Sequence, residues 1–68
     1  MTPEDTERTI ARLHAGETVK VRAVAAGEFE IVPKELHGLR FYKYPGKRSA
    51  IRLSDDQLRN WLSHLELP

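Results

Sequence analysis

From Thr18 to Val32, apolar and charged side chains take turns along the chain. Val19, Val21 and Ala23 share one parity, and Lys20 and Arg22 the other. Phe29 and Ile31 then alternate with Glu28 and Glu30. Only an extended backbone throws successive side chains to opposite faces, so this pattern predicts two half-buried strands. Gly27 lies in the turn between them. A slip of one residue would move the whole apolar set into water, so phase is the constraint to satisfy. A three-residue loop, Ala25–Gly27, sets Val21 opposite Ile31, Ala23 opposite Phe29 and Arg22 opposite Glu30. The last of these is a favourable pair of opposite charges.

Helix signals flank this sheet pattern. Thr2-Pro3-Glu4-Asp5 offers a capping hydroxyl, a proline suited to the first turn and two acids facing the positive end of the helix dipole. The first helix is expected to run to about Ala15, with Gly16 as its stop. Ser54-Asp55-Asp56-Gln57 is a capping-box signature. Leu58, Trp61, Leu62 and Leu65 follow at i, i+3, i+4 and i+7, the stripe of a helix lying on a core. That helix is expected to continue until Pro68 closes it.

Between the two helical patterns lies Leu39–Leu53, read as a hairpin around Pro45-Gly46-Lys47. Pro33 is expected to end the preceding strand, because it cannot donate to a ladder. Lys34–Gly38 then becomes a connector. An odd-length loop pairs Leu39 with Leu53 and Phe41 with Ile51, facing inward. Arg40 then falls opposite Arg52, Tyr42 opposite Ala50 and Tyr44 opposite Arg48, facing out.

The expected fold is therefore a single α+β domain over residues 1–68: helix, four-stranded antiparallel meander, helix. Both helices pack on one face of the sheet. Its expected core is Val19, Val21, Ala23, Phe29, Ile31, Leu39, Phe41, Ile51, Leu53, Leu58, Trp61, Leu62 and Leu65, with Ile10 and Leu13 at the edge. A 68-residue chain has room for one such domain. It has no cysteine, so thiolate catalysis, disulfides and Cys-based zinc sites are excluded together. The first residues lack the basic start and apolar run of a signal peptide, and no apolar run reaches membrane-spanning length. A soluble, cytoplasmic protein with no membrane partner is expected.

Catalytic signals are absent. Ser54 is explained as a cap, and His14, His37 and His64 are scattered along the chain. The carboxylate pairs fall at helix starts or opposite bases, and the four glycines stand singly at element boundaries. His14 and His64 near two helix ends are explained as cations favoured at helix C-termini. No enzyme activity, no cofactor and no metal site is expected.

The net charge is only +1, but its distribution is uneven. Residues 38–52 hold Arg40, Lys43, Lys47, Arg48 and Arg52, interleaved with Phe41, Tyr42 and Tyr44, and no acid. With Arg22, the set Arg40, Tyr42, Tyr44, Arg48 and Arg52 forms the candidate partner-binding face. Arg40 opposite Arg52 is a repulsive pair that an anion would relieve. Tyr and Arg are also favoured at protein interfaces. The plain alternative is a solvated sheet face, where long basic stems shield the backbone.

Val32-Pro33-Lys34-Glu35-Leu36 is similar to the Ile-Pro-Lys-Glu-Leu turn of swapped-hairpin transcription regulators. The likeness spans five residues, departs from that family at Leu36-His37-Gly38-Leu39, and carries no site residue over. The helix-then-strands order is also loosely like small Sm-like barrels, from which the C-terminal helix departs.

The reading that results is a small non-enzymatic accessory or regulatory protein, of a bacterium or phage on size alone. It contacts an acidic patch on another protein through residues 39–53. The alternative partner is a nucleic acid held by the same residues; the acids near both ends of the chain disfavour a long polyanion. A free sheet edge would also allow a homodimer.

Overall fold

The computed structural model describes every residue except Lys47. Its elements run α1 (Pro3–His14), β1 (Val19–Ala23), β2 (Gly27–Leu36), β3 (Leu39–Lys43), β4 (Ile51–Arg52) and α2 (Asp55–Ser63). The strands form one antiparallel sheet in the order β1-β2-β3-β4. This is the expected α+β architecture.

Both helices begin as their sequences direct. The Thr2 hydroxyl accepts from the Asp5 amide at 3.1 Å. At α2, the Ser54 amide donates to Gln57 Oε1 at 2.9 Å and the Gln57 amide donates to Ser54 Oγ at 3.1 Å, closing the capping box. Gly16, at φ +89°, supplies the left-handed step that leads away from α1. Helix α1 buries Thr6, Thr9, Ile10 and Leu13, a broader face than its two large apolar residues suggest. Thr6 is suited to this because its hydroxyl bonds back to the Thr2 carbonyl at 2.9 Å. Helix α2 ends at Ser63, earlier than expected, with His64 as its C-cap. The chain then extends, so that Leu65 is still buried and Glu66 pairs with Arg22 on the edge of β1. Amide-to-carbonyl bonds of 2.7 and 2.8 Å run in both directions between Arg22 and Glu66.

The β1–β2 hairpin keeps the expected faces with a different register. Val21 stands opposite Phe29, Val19 opposite Ile31 and Arg22 opposite Glu28, so the loop is Val24–Ala26. The shift is two residues, which preserves parity and leaves Val19, Val21 and Ile31 fully buried.

The β2–β3 connection overturns the expected connector. Strand β2 runs through Pro33 to Leu36, and Leu36 pairs directly with Leu39 across His37-Gly38. Both turn residues have positive φ, +53° and +76°, as a two-residue hairpin turn of the primed type requires. The residues flanking such a turn exchange hydrogen bonds, so Val32, Lys34 and Leu36 direct their amides to β3. Pro33 therefore has its amide side on the opposite edge, beyond the last β1 pair, Val19–Ile31. No ladder bond is lost there, which is why proline does not end the strand.

This even-length turn fixes the phase of β3, and it is opposite to the expected one. Tyr42 stands opposite Pro33 and Ile51, on the inner face. Phe41 stands opposite Lys34 and Arg52, on the outer face. Tyr42 is 1% exposed and belongs to the core with Ile10, Leu13, Val19, Val21, Ile31, Leu58, Leu62 and Leu65. Leu39, expected inside, is 40% exposed. Phe29, Leu53 and Trp61 pack partly buried against the cluster.

Candidate functional site

The six candidate residues do not form one surface. Tyr42 is a core residue beneath the helices. Tyr44 joins an aromatic cluster at the end of the sheet, with ring centroids 5.0 Å from Trp61 and 6.1 Å from Phe29. Phe29 and Trp61 are themselves stacked at 6.4 Å. Arg40 shares the inner parity of Tyr42 but projects at the sheet's margin, where it is exposed. Arg48 is exposed in the loop before β4. Only Arg22 and Arg52 stand on the outer face, on the two opposite edge strands. The expected pairs Arg40–Arg52, Tyr42–Ala50 and Tyr44–Arg48 are not formed. Lys47, expected in the turn, lies outside the described residues.

The outer face carries a different row. Lys34, Phe41 and Arg52 are cross-strand partners on β2, β3 and β4, so a half-buried phenyl ring stands between a lysine and an arginine. Val32 and Lys43 form the next pair. Beside them is a shallow groove of about 450 Å³ lined by Glu30, Val32, Lys34, Lys43, Tyr44 and Pro45. Lys34, Phe41 and Lys43 were not among the expected site residues. The signal that would have found them is His37-Gly38, whose turn chemistry sets β3 in this phase.

Charge on this face divides sharply. At the β1 side, Glu28 takes both Lys20 and Arg22, each at 3.4 Å. Elsewhere Arg8 pairs with Asp5, Arg12 with Glu17, and Arg59 with Glu7 and Asp56. Among the described residues, every Arg and Lys outside 34–52 thus has an acidic partner. Lys34, Arg40, Lys43, Arg48 and Arg52 have none. The Arg59 guanidinium is held above its ordinary pKa chiefly by its hydrogen bond to Glu7.

His14 Nε2 lies 3.1 Å from Asp55 Oδ1, tying the end of α1 to the start of α2, whereas His64 caps the other end of α2. Among the described residues, no group of three or more His, Asp or Glu side chains is placed to hold a metal ion. Among the described residues, no helix is long and apolar enough to cross a membrane. Comparison with protein-family models, with curated proteins and with solved structures finds no match.

Proposed function

We propose that the chain is a non-enzymatic binding module that contacts an acidic patch of another protein through the open face of β2, β3 and β4. The observation that carries this reading is the division of charge. Cations elsewhere are paired within the molecule, whereas Lys34, Arg40, Lys43, Arg48 and Arg52 have no ion-pair partner among the described residues. Unpaired Lys and Arg around an apolar centre steer and orient an anionic partner, and the buried aromatic supplies the affinity. Phe41, with Val32 beside it, is that centre.

A nucleic acid is the second reading, favoured by Phe41 standing between Lys34 and Arg52, an arrangement on which a base stacks. Glu28 and Glu30 share the same sheet face and repel a long polyanion, so the protein partner is preferred.

The test is affinity capture with nuclease treatment, comparing the natural chain with a Lys34→Glu, Arg52→Glu variant. A nuclease-resistant partner lost on charge reversal supports the reading. Capture unaffected by reversal rejects it, and a partner lost to nuclease transfers the face to nucleic acid.

A further inference from the structure

Two exposed leucines enlarge the open face beyond Phe41. Leu36 is 59% exposed and Leu39 40%, and the two are cross-strand partners at the turn end of β2 and β3. Large apolar side chains scattered singly over a surface need no explanation, whereas neighbours on one uncovered face form a patch. By parity the pair shares the outer face with Phe41 on β3 and Val32 on β2. An apolar line therefore runs from Val32 through Phe41 to Leu36 and Leu39. Lys34 and Arg52 flank it on either side of Phe41, and Lys43 stands opposite Val32. None of these three cations has an ion-pair partner among the described residues.

The occupant must bring carboxylates to meet those cations. A second copy of this chain would bring the same Lys and Arg residues face to face, and like charges repel. The occupant must also satisfy its own backbone. On the face of a sheet the amides and carbonyls are spent in the ladders, so an extended segment laid there would bury its own without partners. A helix bonds within itself. The leucine pair gives a nucleic-acid base no ring to stack on. Val32 to Leu36 spans about 13 Å of strand, which a helix covers in about nine residues. That length presents apolar side chains at i, i+3 or i+4, and i+7, one for each row of the patch.

We infer that this face docks an amphipathic helix of another protein. Its apolar stripe lies over Val32, Phe41 and the Leu36–Leu39 pair, and Asp or Glu residues line its shoulders. Glu30 lines the groove beyond Val32 and marks where the acidic shoulder must end. The inference rests on the open-face reading and adds the shape and residue pattern of the partner's segment.

The test pans the immobilised, folded chain against a phage library of random peptides of about 16 residues, just over four turns of helix. Enriched sequences should carry apolar residues at helical spacing with acids beside them. A synthetic copy of an enriched peptide should show helical Cα shifts when bound. Leu36→Ser with Leu39→Ser should weaken it about tenfold or more, with a native amide spectrum because both leucines are exposed. Lys34→Glu with Arg52→Glu should do the same. Binders that stay extended, or that ignore the leucine substitutions, would overturn the helix; if they are acidic and lost on charge reversal, the open-face reading survives. Binders indifferent to charge reversal sink both. Failure to enrich any peptide that needs Leu36 and Leu39 also overturns the helix. A dimer in analytical ultracentrifugation that the leucine variant dissociates would give the patch to a second copy instead.

Discussion

Tyr42 stands directly opposite Ile51 in the β3–β4 ladder, and the pairing carries both side chains to the covered face of the sheet. The phenol ring thereby becomes one of the largest fully buried side chains, and its hydroxyl goes without a partner. The ring stabilises the fold and the oxygen opposes it. Tyr42→Ala should cost about 3–5 kcal/mol, the usual effect of deleting a core aromatic. Tyr42→Phe should be neutral or stabilising by up to about 1 kcal/mol, since it removes an unpaired polar atom and keeps the ring. Urea denaturation of both variants checks this, and a large loss in Tyr42→Phe would mean the hydroxyl is paired.

The same residue sets a response to alkali. Its phenol titrates above the ordinary value of 10.0, because burial opposes the charged form. The unfolded chain therefore releases this proton first as pH rises. Stability from this group is constant below pH 10.0 and falls from there up to the raised native value. Melting temperatures taken from pH 8 to 11 should drop more steeply for the natural chain than for Tyr42→Phe.

The open face makes a contrasting prediction. Phe41→Ala should weaken the protein partner by about tenfold or more, as loss of an interfacial aromatic anchor does. Lys34→Ala and Arg52→Ala should chiefly slow association and flatten its salt dependence. Surface plasmon resonance at two salt concentrations separates these effects. All three variants should unfold within about 1 kcal/mol of the natural chain, because Lys34 and Arg52 are exposed and Phe41 lies outside the main core.

The two-residue His37-Gly38 turn sets the phase of β3 against β2. Gly38 has φ +76°, where a side chain is strained whatever the space around it. Gly38→Ala should cost about 1 kcal/mol or more. Chemical denaturation reads the cost directly, and an unaffected midpoint would contradict this turn geometry.

What the residues disclosed before folding, and what they withheld, has a physical pattern. Caps and stops acted locally, so Thr2, Gly16 and the Ser54–Gln57 box were legible. So was the phase of β1, because Lys20 and Arg22 leave only one apolar side. In β3 both parities are amphipathic: Leu39 and Phe41 compete with Tyr42 and Tyr44 for the inside. Composition cannot choose between them. The choice is made in the preceding strand, where β2 continues through Pro33 and an even turn follows. The error at β3 then dispersed a candidate surface that had been assembled on it. The end of α2 was misjudged for a related reason: Leu65 keeps the helical stripe's burial while its backbone has already left the helix to meet Arg22.

Pro33 has one more effect, on the molecule's neighbours. Past Ile31, β2 has no strand partner on the β1 side, although the end of α1 stands near it at Leu13, His14 and Gly16. An incoming strand would find no hydrogen to accept at Pro33, while Glu66 already occupies the flank of β1 at Arg22. Addition of a strand from another copy is thereby hindered at both places.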